Sequence, residues 1–431
     1  ALMSGMAYLG VQVSDAGLAS TPAMYMSTIM PYYEFDGAIM VTASHLPFNR
    51  NGFKFFTAEG GLNKADITEV LEYAASAHIL PFEYNAESVN LMQMYAAHLR
   101  SIISTGVGGD LSNMKIVVDA GNGAGGFFAN NVLAPLGADI SGSQFLDPDG
   151  TFPNHEPNPE SKEAMESICR QVRETGADLG IIFDTDVDRS SAVDEKGNEI
   201  ARNGIVAMAA ALISDKYPGT TVVTDSVTSD ELHVFLEEIL GLKHLRFKRG
   251  YKNVINKAIE LNNSGTISPL AIETSGHAAY KDNYFLDDGA FLATRIVIES
   301  AKLFKEGLGL SSILGGLNSP AESTEVRLPI TVEDFAGCAE KALEQVKKLP
   351  VSFKSDTIRF SSVEPNYEGV RLSYNGEYNG WLLIRKSLHD PILPINIESK
   401  EPGGCKLIRE ILNTVLSSVD GVDLSPLIIN L

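Results

Sequence analysis

Three aspartates stand at alternate positions directly after an apolar run in the middle of the chain. The run is Gly180-Ile181-Ile182-Phe183, and the aspartates are Asp184, Asp186 and Asp188. Carboxylates this close repel one another unless a cation offsets their charge, and oxygen ligands favour Mg²⁺ or Ca²⁺. Counted from Asp184, the sixth position is Arg189. An EF-hand calcium loop has glycine at its sixth position, so this segment is not an EF-hand loop. The spacing favours a metal loop, and the alternative is a solvated acidic turn.

A second candidate for chemistry is Ser44, which follows the apolar run Ala38-Ile39-Met40-Val41. His45 stands beside it, and Lys54 follows ten residues later. The segment 42–46 does not match the G-x-S-x-G pattern of hydrolases that use a serine nucleophile. A helix-capping serine and a reactive serine both fit these residues.

Two further polar loops follow apolar runs. Residues 119–126 are rich in glycine but give no clean dinucleotide-binding pattern, so we interpret them as a tight structural turn. Residues 273–277 contain Glu273, Ser275 and His277. Glutamate and serine side chains suit sugar hydroxyls, and histidine can carry a proton near neutral pH.

The same local order recurs at five places: an apolar strand, a polar loop and then a helix. The apolar runs are residues 37–41, 115–118, 179–183, 221–223 and 269–272. Alternating strands and helices predict α/β domains with mixed, mostly parallel sheets, in which ligands bind beyond the carboxyl ends of the strands. We expect a further strand at residues 10–13 and helices at residues 63–78, 160–174 and 288–303.

The composition places this chain among multidomain globular proteins. With 431 residues it is too long for one core, and we predict four domains, at residues 1–104, 105–201, 202–322 and 323–431. The last is expected to be α+β, with strands at residues 324–329, 371–374 and 381–385 and a helix at residues 404–419. A net charge of −21 disfavours nucleic acid and anionic membranes as partners. The three cysteines are widely spaced, which suits a reducing compartment.

Four of these segments together resemble motifs of the α-D-phosphohexomutases, the phosphoglucomutase and phosphomannomutase group. They are a serine loop at residues 42–47, a metal loop at 184–189, a sugar loop at 273–277 and a phosphate loop at 385–389, in the family's order. The resemblance covers essentially the whole chain. It implies several α/β domains, a C-terminal α+β domain and an active site in a central cleft.

This chain departs from the family pattern in its serine, metal and phosphate loops. Leu46 stands where the family usually has asparagine, and Thr185 and Val187 replace glycines of the metal loop. Residues 388–390 differ from the family's phosphate loop. Family members also have a strand and a helix that precede the segment at residue 1. From these departures we expect slow turnover.

The resemblance implies a phosphoserine at Ser44 that exchanges its phosphoryl group with a sugar monophosphate through a bisphosphate intermediate. It implies Mg²⁺ as cofactor and glucose 1,6-bisphosphate as activator. The implied roles are metal binding by Ser44, Asp184, Asp186 and Asp188; charge neutralisation by Lys54 and Arg189; general acid or base catalysis by His45 or His277; hydroxyl binding by Glu273 and Ser275; and phosphate binding by Lys248, Arg385 and Ser387, with Arg249 as a further candidate.

The expected substrate is therefore a small sugar phosphate, glucose or mannose, handled in the cytoplasm, or in the plastid stroma if a transit peptide has been lost. Three alternatives stay open. One is a phosphoglucosamine mutase. Another is a catalytically impaired homologue that binds sugar phosphates, and the third is a Mg²⁺-dependent phosphatase.

Overall fold

The computed structural model describes residues 1–44, 46, 49–77, 83–387 and 390–428. The chain forms two compact units. One contains residues 1–212 and 275–315, and the other contains residues 213–274 and 316–431. The finer division into four domains stays a prediction.

The first half of the chain begins with short elements and continues with longer helices and buried strands. In chain order the elements are α1 (Leu2–Tyr8), β1 (Ser14–Asp15), α2 (Thr21–Met26), β2 (Ala38–Val41), β3 (Phe53–Thr57), β4 (Gly60–Gly61), α3 (Lys64–Ser76), β5 (Glu87–Ser88), α4 (Leu91–Val107), β6 (Ile116–Asp119), α5 (Lys162–Thr175), β7 (Leu179–Phe183), β8 (Ser190–Val193), β9 (Glu199–Ile200) and α6 (Asn203–Ser214).

The second half contains four strands before residue 281 and five strands near the C-terminus. In chain order the elements are β10 (Thr221–Thr224), α7 (Asp230–Val234), β11 (Lys243–Arg246), α8 (Tyr251–Asn263), β12 (Leu270–Ile272), β13 (Ala278–Tyr280), α9 (Gly289–Lys305), β14 (Glu322–Pro329), α10 (Phe335–Lys347), α11 (Leu349–Ser352), β15 (Ile358–Ser362), β16 (Val370–Gly376), β17 (Gly380–Ile384), β18 (Ile392–Ser399), α12 (Gly404–Leu416) and α13 (Ser425–Ile428).

The first unit contains two sheets that position candidate residues. Strands β2, β3 and β4 form an antiparallel sheet in which Val41 pairs with Phe53. Strands β6, β7, β8 and β9 form a mixed sheet, with β6 and β7 parallel and the other pairs antiparallel. Helix α5 packs on β6 and β7, where Ile168 and Ile182 are fully buried. These contacts anchor the strand that leads into the acidic loop.

The second unit combines a parallel group with a large antiparallel sheet. Strands β11 and β12 both pair in parallel with β10. The five-stranded sheet has the order β14-β18-β17-β16-β15 and is antiparallel throughout. Helices α10 and α12 pack against this sheet around a buried apolar cluster. The expected α/β class is confirmed, and the C-terminal residues form an α+β arrangement as predicted.

Two expectations about local order are wrong. The loops after β2 and β7 reverse the chain into the antiparallel strands β3 and β8, and the loop after β12 precedes strand β13, where helices were expected. The predicted strand at residues 10–13 lies outside every assigned strand. The strand begins at the next two residues, β1, which pair with β5. Because β5 is also only two residues long, the pairing extends no further.

The predicted helices begin at recognisable capping residues. Asn63 and Asp66 form a capping box at the start of α3, each side chain accepting a backbone N–H from the other end of the turn. Ser161 caps α5, which ends at Gly176 with φ of 62°. No helix in these described ranges is both long and apolar enough to cross a membrane.

Glu398 is a buried acid in the five-stranded sheet. It accepts a hydrogen bond of 2.8 Å from Nε1 of Trp381, the single tryptophan of the chain. Burial raises the pKa of Glu398 to about 7. Ionisation of Glu398 is therefore harder in the folded state than in the unfolded state.

We predict a pH dependence of stability from this acid. Because its folded pKa is raised, its contribution is complete below the ordinary glutamate pKa of about 4.3 and is lost as pH rises through about 7, by up to about 3 kcal/mol. Urea unfolding followed by Trp381 fluorescence should show a smaller loss of stability between those pH values in Glu398→Gln. The exposed variant Glu410→Gln should behave like the wild type. An unchanged pH dependence in Glu398→Gln would contradict the assignment.

Candidate active site

The three aspartates of the acidic loop are buried and face one another. Asp184, Asp186 and Asp188 are at most 2% exposed, and each offers a carboxylate oxygen within 4.8 Å of the other two. One oxygen of Asp186 and one of Asp188, both Oδ1, have no hydrogen-bond partner among the described residues. Buried carboxylate oxygens without partners are costly. This all-oxygen donor set fits a divalent cation such as Mg²⁺.

The acidic loop reverses the chain from β7 into β8 and contains an unusual backbone conformation. Val187 has φ of 68° and is fully buried. A β-branched residue in this region costs about 1–3 kcal/mol and persists only where its surroundings hold it in place. Val187 is one of the two residues that replace glycines of the family's metal loop, and glycine would adopt this conformation without that cost.

Three neighbouring elements hold this loop by its backbone. Thr21, at the start of α2, donates its N–H to the carbonyl of Asp186 at 2.9 Å and its hydroxyl to Asp186 Oδ2 at 2.5 Å. Ala124 donates to the carbonyl of Thr185, and Gly289 donates to that of Val187. The loop is thereby fixed before any cation binds. Thr21 carried no signal in the sequence.

The glycine-rich segment at residues 119–126 has the structural role that its sequence suggested. A Cβ atom at Gly123 would lie 2.5 Å from the carbonyl oxygen of Thr185. Glycine at this position therefore allows the close approach of the two loops.

Lys54 is the cation that faces the aspartates. Its Nζ lies 2.9 Å from Asp186 Oδ2 and 2.6 Å from Asp188 Oδ2. Burial opposes the charge of Lys54, but Asp188 and Asp186 outweigh it and raise the pKa of this lysine. Burial also opposes the charge of Asp188, whose pKa is nevertheless lowered by Lys54 and His277. Lys54 is therefore an ammonium ion bound to the acidic loop.

Ser44 lies in the hairpin that presents Lys54. The N–H of Thr42 bonds to the carbonyl of Gly52, which extends the β2–β3 pairing, and the N–H of Ser44 bonds to Thr42 Oγ1 at 2.8 Å. Ser44 has φ of 50°, again a left-handed conformation. It lies three residues beyond Val41, a span of at most about 11 Å. Ser44 and Lys54 thus lie at the same end of this sheet, while His45 lies outside the described residues.

Arg189 is bound to one of the aspartates. Its Nε lies 3.1 Å from Asp184 Oδ2, its backbone N–H donates to Asp184 Oδ1, and its NH1 donates to Asn158. Burial raises the pKa of Asp184, Asp188 raises it further, and Arg189 opposes both effects. The structure therefore places this guanidinium, which is 1% exposed, on Asp184.

His277 has a carboxylate partner that the sequence analysis missed. Its Nδ1 lies 2.6 Å from Asp287 Oδ2 and 4.0 Å from Asp188 Oδ1. The available signal was the Asp-Asp pair before α9. Asp188, His277 and Asp287 form a second group of possible metal ligands. Ser275, nearby in the chain, has a buried hydroxyl with no hydrogen-bond partner in the described part of the chain.

The second unit contains the remaining predicted residues. Glu273 accepts the N–H of Gly250 at 2.5 Å, and Ser387 accepts the N–H of Asp390 at 3.1 Å. Burial and the nearby Arg249 lower the pKa of Arg385. Lys248 is exposed, and residues 388 and 389 lie outside the described ranges. The structure thus brings Arg385 near Arg249, which was also a sequence candidate.

We predict that Mg²⁺ stabilises the folded protein through the acidic loop. Millimolar Mg²⁺ should raise the melting temperature of the wild type by several degrees, since a ligand that binds only the folded state stabilises it. Asp186→Asn should remove this rise while leaving the metal-free melting temperature within a few degrees. Asp147→Asn, an exposed change in the same unit, should keep the full rise. A normal Mg²⁺ effect in Asp186→Asn would contradict the metal site.

Models of three phosphoglucomutase/phosphomannomutase α/β/α domains match consecutive parts of this chain. Domain I matches residues 1–78, domain II residues 93–197 and domain III residues 201–316. A phosphomannomutase/phosphoglucomutase of Pseudomonas putida is 27% identical over 420 residues, which are 97% of this chain and 84% of the relative.

Two solved structures are similar along most of the chain. A phosphoglucomutase/phosphomannomutase family protein of Burkholderia thailandensis has a TM-score of 0.75 and 26% identity, covering 97% of this chain and 85% of that one. An Aspergillus fumigatus N-acetylphosphoglucosamine mutase, solved with GlcNAc-6P and magnesium, shares the fold with a TM-score of 0.58 and 13% identity, covering 93% and 91%. The chain belongs to the phosphoglucomutase/phosphomannomutase family.

Proposed function

We propose that this protein interconverts hexose 1-phosphate and hexose 6-phosphate through a phosphoserine at Ser44. The observation that carries the proposal is the buried group Asp184, Asp186 and Asp188, with carboxylate oxygens lacking partners among the residues described. Lys54 links this group to the hairpin that presents Ser44. Family membership supports the same activity.

Mg²⁺ is the proposed cofactor, held by the three aspartates together with an oxygen of phosphorylated Ser44. When bound, the metal would neutralise charge on the phosphoryl group as it transfers. Lys54 would neutralise charge from the side of the hairpin. Arg189 would act less directly, because its guanidinium is bound to Asp184 and fixes that carboxylate.

Proton transfer is assigned to His277. The 2.6 Å contact between Nδ1 and Asp287 orients the ring, and His277 is proposed to take a proton from the attacking sugar hydroxyl. Asp287 would stabilise the charge that then develops on the ring. The return transfer reverses these roles, so His277 would give the proton back. His45 stays an alternative proton carrier.

The sugar must be held in two orientations, since each of its phosphates faces Ser44 in turn. Glu273 and Ser275 are proposed to bind the hydroxyls, and Lys248, Arg385 and Ser387 to bind the distal phosphate. The Nε of Arg385 has no hydrogen-bond partner within the described ranges, so this group has donor capacity for a phosphate oxygen. Glucose 1,6-bisphosphate would be both the intermediate and the activator. A cytoplasmic location fits three buried thiols.

We predict that Ser44 carries the phosphoryl group. After incubation with glucose 1,6-bisphosphate, intact mass should show an addition of about 80 Da for one phosphate on the wild type and none on Ser44→Ala. A coupled mutase assay should show at least a ~10³-fold lower rate for Ser44→Ala. Ser76→Ala, an exposed serine of the same unit, should match the wild type. Equal rates for Ser44→Ala and the wild type would refute the role.

A separate prediction concerns the sugar. Glu273 and Ser275 are expected to contact hydroxyls that glucose and mannose share, so both 1-phosphates should be accepted with kcat/KM values within about tenfold. The measurement compares glucose 1-phosphate, mannose 1-phosphate and glucosamine 1-phosphate. A preference of more than about a hundredfold for the amino sugar would instead support a phosphoglucosamine mutase.

A further inference from the structure

Arg371, on β16 of the second unit, is a buried cation with an unusual set of contacts. It is 3% exposed, and its guanidinium carbon lies 3.8 Å from the centre of the Trp381 ring, which is a cation–π contact. Glu398 fixes the ring through its bond to Trp381 Nε1. One face of the guanidinium is therefore covered by a rigid aromatic side chain.

The side-chain hydrogen bonds of Arg371 to other described residues reach one loop, residues 225–230, which leads from β10 to α7. NH1 donates to the carbonyl of Ser226 at 2.9 Å, and NH2 donates to the carbonyl of Thr228 at 3.1 Å and to Asp230 Oδ1 at 3.0 Å. Arg246 donates to the same carboxylate and to the carbonyl of Ser229. Two guanidinium groups thus share Asp230 and draw the loop's carbonyl oxygens together.

Burying the charge of Arg371 beside a second guanidinium costs free energy. Burial, followed by the like charge of Arg246, lowers the pKa of Arg371 to about 9. A buried cation is tolerated when oriented dipoles and hydrogen bonds replace its water. The carbonyls of Ser226 and Thr228 supply them only while the loop keeps its present conformation. The buried charge of Arg371 therefore stabilises the present conformation of the 225–230 loop over others.

The loop contacts the segment that contains Glu273. Asp225 Oδ2 accepts the hydroxyl of Thr274 at 2.8 Å, and Thr274 directly follows Glu273. Ser226 also donates its hydroxyl to Glu368, whose Oε2 accepts the N–H of Arg249 at 3.1 Å. Residues 225–230 therefore connect the five-stranded sheet to the segments of Glu273 and Arg249.

We propose that Arg371 is a positioning residue that holds the 225–230 loop and, through Asp225 and Thr274, the orientation of Glu273 toward the sugar. Its effect on turnover rests on the proposed function; its hold on the loop does not. Arg371 is not proposed to contact the substrate. It acts through the loop, and only the planar, forked guanidinium can join a ring face to three oxygen acceptors.

The first test measures the loop directly. In Arg371→Lys, amides of residues 226–230 and 274 should exchange hydrogen at least about tenfold faster than in the wild type. Arg359→Met, an exposed change on the adjacent strand β15, should leave them unchanged. Unchanged exchange in Arg371→Lys overturns the proposal. Arg371→Lys keeps the positive charge but removes the fork of the guanidinium, and its Trp381 fluorescence reports whether the sheet is folded.

The second test is a double-mutant cycle on kcat/KM with glucose 1-phosphate. Arg371→Lys and Thr274→Val should each lower kcat/KM about tenfold, mainly through KM, and the double variant should lose less than the product of the two. Losses that multiply fully would show independent effects and overturn the connection through the loop. A wild-type protein without mutase activity would overturn the proposed function instead, while hydrogen exchange still decides the role of Arg371.

Discussion

Electrostatic repulsion among three buried carboxylates constrains the rest of the first unit. At the separations within the acidic loop, each ionised pair repels by roughly 4 kcal/mol at an effective dielectric constant of about 20. Lys54 offsets part of this repulsion at Asp186 and Asp188, and Arg189 offsets part at Asp184. A divalent cation bound to the carboxylate oxygens that lack partners within the described part of the chain would offset the remaining negative charge. The backbone contacts from α2, residues 119–124 and α9 prevent the loop from opening to relieve the repulsion.

The second unit shows the opposite arrangement. Although the chain is strongly acidic overall, the buried Arg371 lies beside the half-buried Arg246, and Arg249 lies near Arg385. Carboxylates such as Asp230 and Glu368 accept hydrogen bonds from these groups or their backbone. An acidic protein can therefore contain local groups that favour an anionic substrate. Net charge says little about such a site, because interactions are screened beyond about 10 Å.

Sequence patterns predicted the features of the fold and the site that depend on residues close together in the chain. The alternate spacing after β7 identified Asp184, Asp186 and Asp188, and strand and helix positions followed from apolar runs and capping residues. Contacts between distant segments left no such pattern. Thr21 and Asp186 are separated by 165 positions. Even at ten positions, the Asp-Asp pair before α9 did not by itself identify Asp287 as the partner of His277. The direction of the chain after β2, β7 and β12 was likewise unpredictable, since one polar loop can precede either a helix or a strand.

One divalent cation is expected to bind where the carboxylates of Asp184, Asp186 and Asp188 converge. The most direct measurement is a crystal structure with Mn²⁺ in place of Mg²⁺, in which anomalous scattering locates the ion. We expect one strong peak about 2.0–2.3 Å from an oxygen of each of the three aspartates. A peak bound instead by Asp188, His277 and Asp287, or no peak at saturating Mn²⁺, would contradict it.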